Sequence, residues 1–321
     1  MSLFGQDRAV ATFNAARASG ALHHAWLLTG PRGVGKALFA EMAALRMLAD
    51  AAGPPVDAPG LETPADHPVA HLFAAGSHPD FRLLRREVNE KTDTLRRNIT
   101  IDQVRKSQEV FHVSPFLSPW RAMVIDSIDE MQSEAANALL KTLEEPPPNC
   151  LFLLVSHAPG RLLPTIRSRC RRLSFARLDD DAMASALAQA LPNRPEADLT
   201  ALIRVAEGSV GRALAFAEHD LAPLEAEALA ILRGGDRDNV RRSKLASALA
   251  LKAAGPRYAA FLELVPSLIA REAMASEGAS RTRVLDAYAR ARDLAAMAPR
   301  VSLDPAATTF QLGTILASVA G

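Results

Sequence analysis

The residues best suited to chemistry lie in one short stretch, Gly30-Pro31-Arg32-Gly33-Val34-Gly35-Lys36, which fits the pattern G-x-x-x-x-G-K. Glycines at these spacings let the backbone curl until its N–H groups converge, and converging N–H groups suit phosphate oxygens. A helix starting at Lys36 would aim the positive end of its dipole at the same point, and Lys36 would add a full charge. A glycine-rich turn with no ligand is the plainer alternative. The next position of the pattern normally holds Ser or Thr, whose hydroxyl ligates magnesium. Here it is Ala37, which has no oxygen to offer.

Other candidate groups lie further along. Asp126 closes an apolar run at residues 121–126, where an acidic pair would hold magnesium and polarise an attacking water. The residue after it is Ser127, a poor general base at neutral pH. Ser156 closes a second apolar run at 151–156. It could bond a water near a terminal phosphate, or equally cap the following turn. Arg167, Arg169, Arg171 and Arg172 make a local basic cluster. Taken by themselves they are surface arginines bonding carboxylates or nucleic-acid phosphates.

The surrounding elements must position these groups. Residues 6–20 predict an amphipathic helix with Val10, Phe13 and Ala16 on one face. Residues 25–29 predict a buried strand running into the glycine loop, and the stretch from Lys36 to about Ala49 a helix. Residues 51–80, rich in Pro, Gly, Ala and Asp, predict irregular structure with at most short helices. Asp102 is taken as the N-cap of a helix reaching about Phe111. Buried strands follow at 121–126, 151–156 and about 171–175, with a helix at about 133–143 that Pro146-Pro147-Pro148 stops. Strands alternating with helices imply a parallel sheet covered on both faces.

After about Asp179 strand signals vanish. Residues 179–191, 196–206 and 210–219 predict three short helices. The remainder predicts a further helical domain broken at Gly234-Gly235, Gly255-Pro256, Gly278 and Pro299. Val284, Leu285 and Tyr288, then Leu312, Ile315 and Leu316, are taken as its apolar helix faces.

Bulk properties narrow the function classes. A chain of 321 residues suggests two or three domains. Its 37 basic and 36 acidic residues nearly cancel, so nucleic-acid contact must come from a local patch or from partners. Two cysteines, Cys150 and Cys170, argue against a disulfide framework, rule out a four-cysteine zinc site within the chain, and are taken as small buried hydrophobes. No basic-then-apolar start and no membrane-length apolar run lead to the expectation of a cytoplasmic protein without membrane contact.

Three further strings carry a family resemblance. Ala21-Leu22-His23-His24-Ala25-Trp26 leads into the glycine loop; Ala136-Asn137-Ala138-Leu139-Leu140-Lys141-Thr142-Leu143-Glu144-Glu145-Pro146-Pro147 precedes the 151–156 strand; Arg167-Ser168-Arg169-Cys170 follows it. Together these resemble the bacterial clamp-loader subunits of the AAA+ class, over about residues 5–220. The resemblance implies an α/β AAA+ P-loop domain with a parallel sheet at 1–177, a small three-helix lid domain at 178–222 and an all-helical collar domain at 223–321. It implies that Ser168-Arg169-Cys170 supplies Arg169 as an arginine finger to the ATP of an adjacent subunit.

Loss of the hydroxyl at Ala37 and of the glutamate at Ser127, with Ser-Arg-Cys kept, resembles the delta-prime branch of the family. ATPase members usually carry a sensor arginine right after Gly-Ser-x; here that slot is Gly211, and Arg212 comes one residue late, about 100° round a helix. The nucleotide-site residues carried over are Gly30, Pro31, Arg32, Gly33, Val34, Gly35, Lys36, Ala37, Asp126 and Ser156.

What the resemblance implies is a stator in a ring with gamma/tau ATPase and delta subunits. Through that complex it would act on the sliding clamp and primed DNA, as part of the DNA polymerase III holoenzyme. ATP or ADP binding stays open, the case for magnesium is weak, and the chain's own hydrolysis is expected to be weak or absent. The alternatives are an autonomous AAA+ ATPase of the same fold and an interaction subunit that never meets nucleotide. Related subunits often carry a four-cysteine zinc module where this chain has residues 50–80. His67, His71 and His78 remain there, with Asp57 and Asp66 near; the histidines are taken as solvent-exposed, and zinc is not expected.

Overall fold

The computed structural model describes residues 2–89, 94–111, 113–219 and 221–320. They form two compact units, Met1–Ala213 and Leu214–Gly321.

The first unit begins with α1 (Asp7–Ala18), β1 (Ala25–Thr29), α2 (Lys36–Ala51) and α3 (Pro68–Ala74). Then come β2 (Phe81–Arg85), a small antiparallel pair β3 (Val88–Asn89) and β4 (Thr94–Leu95), α4 (Ile101–Gln108), β5 (Arg121–Asp126), α5 (Ser133–Glu144), β6 (Cys150–Ser156), α6 (Pro164–Ser168) and β7 (Arg171–Ser174). Five strands make one parallel sheet in the order β2-β5-β6-β1-β7. Ala25 lies beside Phe152 and Thr29 beside Ser156, so β1 and β6 end level with one another.

Side chains alternate across this sheet. Leu27, Met123, Ile125, Phe152 and Leu154 join Val104, Leu139 and Leu143 of α4 and α5 in one core. On the other face Trp26 meets Phe13 edge-on at 5.3 Å, and Phe13 meets Phe39 of α2 at 5.7 Å. The α1 face buries Ala9, Phe13 and Ala16, while Val10 is only half-buried. Three helices, α7 (Asp180–Ala190), α8 (Glu196–Ala206) and α9 (Val210–His219), follow the sheet.

The structure departs from the sequence expectations at named points. β2 and the β3–β4 pair lie outside the strands that the sequence predicts. α4 is capped by Thr100, not Asp102: the Thr100 hydroxyl accepts from the Gln103 N–H and the Gln103 side chain reaches back to the Thr100 N–H. A hydroxyl two residues earlier meets the free N–H groups of the first turn, so Asp102 becomes a first-turn acid.

The second unit is helical: α10 (Ala222–Gly234), α11 (Val240–Leu249), α12 (Gly255–Ala275), α13 (Gly278–Val301) and α14 (Pro305–Ala317). Ile231, Phe261, Val265, Ile269, Ala291, Leu312, Ile315 and Leu316 fill its core. The expected breaks fall at helix boundaries: Gly234-Gly235 closes α10, Gly255-Pro256 opens α12 and Gly278 opens α13, proline being tolerated in a first turn where no intrahelical N–H is needed. Pro299 lies inside α13, which ends instead at Ser302 with φ +54°. Leu285 is exposed, so the buried α13 face runs through Val284, Ala287 and Ala291. No helix among the described residues is long and apolar enough to cross a membrane.

Candidate functional site

β1 delivers the chain into the glycine loop and α2 takes it out, so the strand–loop–helix context of the G-x-x-x-x-G-K pattern is present. Gly35 is the N-cap of α2 at φ +97°, a conformation open to glycine and strained for other residues. Gly33, at φ +71°, is a point of close approach: a Cβ there would collide with the Ser209 hydroxyl and lie 2.9 Å from the Gly211 Cα. The start of α9 is seated on the loop by two hydrogen bonds. Ser209 Oγ donates to Arg32 O at 2.9 Å, and the Gly211 N–H donates to Gly33 O at 3.0 Å. Position 211 thus holds a residue with no side chain because none fits. Arg212, one position on, pairs with Glu207 at 3.3 Å.

Lys36 is buried, and its ammonium donates to the carbonyls of Gly30 (2.7 Å) and Pro31. Burial pushes it down to about 8, against the pull of Asp129 and Asp126. Asp126 is raised by its own burial, opposed by Lys36 and Arg85. Arg32 reaches Glu130 at 3.3 Å, and Glu130 also pairs with Arg86 at 2.7 Å.

Ser156 is the last residue of β6. Its hydroxyl is fully buried and donates to Asp129 Oδ1 at 2.9 Å, and the same carboxylate accepts from the N–H groups of His157 and Ala158. Asp129 therefore fastens the end of β6 to the segment after β5. The sequence reading passed over it; the signal available was a second acid three residues beyond Asp126. His157 is held down to about 3 by burial first, then by Lys36 and Arg32.

These donors do not suit magnesium. Position 37 offers a methyl group, and Ser127 Oγ is buried with no hydrogen-bond partner. No group of His, Cys, Asp or Glu among the described residues is arranged to hold a metal ion.

Arg169 lies away from this loop, in a surface cleft with His23, His24, Leu143, Glu144 and Glu145. It caps the C-terminus of α6, its side chain is 33% exposed, and it pairs with Glu144 at 2.6 Å while donating to Thr165 O at 3.0 Å. The neighbouring arginines are used locally. Arg171 sits 4.8 Å over the Trp26 ring, and Arg172 Nε donates to Thr29 Oγ1 at 3.1 Å. Cys150 is buried and Cys170 half-buried; burial raises their thiols to about 11 and about 12, so neither is a thiolate at neutral pH.

The histidines of the 50–80 segment correct the expectation of exposure. His67 and His78 are buried, and only His71 is exposed. His67 accepts from the Val69 N–H and caps α3, and His78 accepts from the Asp80 N–H. Each imidazole stands in for a missing backbone partner, which is what draws it inside.

A five-stranded parallel sheet, a glycine loop between β1 and α2, a terminal acid on β5, a polar residue ending β6 and an arginine before β7 define a P-loop α/β protein of the AAA+ class. Its relatives narrow this further. The chain belongs to the family described as DNA polymerase III, delta subunit, which it matches over residues 5–179. It is 37% identical over 189 residues to the DNA polymerase III subunit delta' of Pseudomonas aeruginosa, covering 58% of this chain and 53% of that one. It is 36% identical over 149 residues to subunit delta' of Escherichia coli, covering 46% and 42%. It is 32% identical over 179 residues to subunit tau of Bacillus subtilis, covering 56% and 29%. The chain thus spans about half the length of the delta' relatives it matches.

Proposed function

We propose that this chain is a delta-prime-like stator in a DNA polymerase III clamp loader. It would act in the cytoplasm beside gamma/tau ATPase and delta subunits, in a ring that loads the sliding clamp onto primed DNA. Residues 178–222 serve as its lid and 223–321 as its collar. Its own nucleotide site hydrolyses ATP feebly or not at all, so ATP or ADP held in the loop would be structural. Its chemical contribution is Arg169, given to the ATP of the adjacent subunit.

The observation that carries this reading is a contrast. The loop that would cradle phosphate lacks oxygens for magnesium at Ala37 and presents a buried serine where a general base is needed. An arginine in a separate surface cleft keeps part of its exposure. Phosphoryl transfer depends on positioning and on stabilising charge at the transferred group. A guanidinium grips two oxygens at once and stays charged at any physiological pH. Arg169 would lie against the developing charge of a neighbour's γ-phosphate, where a donated arginine contributes on the order of 10³–10⁵ in rate.

The test is reconstitution with the ATPase and delta subunits. Arg169→Ala should assemble normally and lower ATP turnover by the complex at least tenfold. Unchanged turnover in an assembled complex removes Arg169 from the chemistry.

A further inference from the structure

The Arg169 guanidinium is not presented bare. Glu144 Oε1 sits 2.6 Å from it, and Thr165 O takes a second N–H at 3.0 Å. Glu144 is the last residue of α5, and the end of that helix is itself anchored. His24 Nε2 bonds the Leu143 carbonyl at 3.1 Å, His24 O accepts from the Phe152 N–H at 2.7 Å, and His23 stacks on the His24 ring at 4.4 Å. The carboxylate therefore hangs from a fixed point on the sheet.

A carboxylate this close cancels most of the field that a phosphoryl oxygen would feel from the guanidinium. If Glu144 stayed paired while Arg169 approached a polyphosphate, it would bring a negative charge up against negative oxygens. The paired state and the phosphate-engaged state of Arg169 are thus mutually exclusive.

We propose that Glu144 is a positioning residue that holds Arg169 against the cleft wall and yields it only when a neighbour's phosphates compete for it, so that the ion pair sets a threshold on catalysis in trans. This rests on the trans-acting role proposed for Arg169. The pair is partly exposed on both sides, with side chains 33% and 46% accessible. Such a pair is weak enough to open, holding back roughly a two- to fivefold population of the free guanidinium.

The experiment measures steady-state ATP turnover by the reconstituted complex, with and without clamp and primed DNA. Glu144→Gln keeps the shape of the side chain and removes its charge. It should raise unstimulated turnover roughly two- to fivefold, leave the KM for ATP unchanged and lower the ratio of stimulated to unstimulated turnover. Glu144→Asp, whose shorter stem lengthens the pair, should fall between wild type and Glu144→Gln. It carries the test if Glu144→Gln fails to assemble. Glu145→Gln, in the same cleft but not seated on the guanidinium, should match wild type. Lower turnover in Glu144→Gln would place Glu144 in the engaged state and overturn the proposal; unchanged turnover, or an equal effect of Glu145→Gln, would overturn it as well. Arg169→Ala separates the two readings. If it is silent the arginine donation fails, whereas if it is crippling while Glu144→Gln is silent only the threshold fails.

Discussion

Gly211 rests directly on Gly33. Its N–H donates to the Gly33 carbonyl at 3.0 Å, and a Cβ built on Gly211 would lie 2.8 Å from the Gly33 Cα. Two backbones approach here without a side chain between them, which couples the start of α9 to the phosphate-type loop.

That contact predicts the behaviour of Gly211→Ala. The added methyl meets backbone, which cannot rotate away, so the helix start must lift or the loop must shift. The expected loss is about 1–3 kcal/mol of stability, read as a lower denaturant midpoint with an unchanged slope. A variant as stable as wild type would mean that the α9 start moves freely over the loop.

Restoring the two missing groups should not restore an ATPase. The lost hydroxyl and glutamate alone would predict that Ala37→Thr with Ser127→Glu raises turnover. The structure adds further obstacles. Ser127 is buried beside Asp126, Lys36 is turned onto the loop's own carbonyls, and α9 is seated on Gly33. A glutamate at 127 would add a buried charge next to a carboxyl already raised by burial. The isolated double variant with magnesium and ATP is expected to stay at the background rate of wild type. Steady hydrolysis by either protein would favour an autonomous ATPase.

His157 should make stability fall in acid. Its folded value, about 3, lies below the ordinary 6.5 because burial, Lys36 and Arg32 disfavour the imidazolium. Between those values the unfolded chain binds the proton and the folded chain does not. Stability from this group is therefore full above about 6.5 and drains away as pH falls towards 3. His157→Gln should flatten the slope of unfolding free energy against pH in that window. Using the difference between variant and wild type cancels His24 and His78, which are lowered in the same direction. An identical slope in both proteins would show that His157 does not titrate as its surroundings require.

The central strands and the glycine loop were legible because strands buried on both faces spell continuous apolar runs, as at 151–156. β2 was not, since an edge strand spelled Phe81-Arg82-Leu83-Leu84-Arg85 keeps a solvent side and interrupts its apolar run with arginines. The helical second unit was legible in kind and in its glycine breaks, which fall at the end of α10 and the starts of α12 and α13, but not at Pro299: a proline letter does not say whether it opens, ends or sits within a helix, and Pro299 sits within one. Asp129 escaped notice because its partners lie 27–29 residues away, at and just past the end of β6. The polar letters of His67 and His78 gave no hint that each would be drawn inside to satisfy a backbone group. The motif holding Arg169 could be spelled out, but that Glu144 would lie against it could not, because α5 and α6 meet only in the folded chain.

β1 is five residues long, roughly 15 Å from end to end. The glycine loop hangs from its last residue, and the cleft of Arg169 opens at its first, beside His24. The two poles share a rod but no atoms. A change at one pole therefore leaves the geometry of the other intact, and under the role proposed for Arg169 a subunit built this way could give up ATP hydrolysis of its own while still serving a neighbour's.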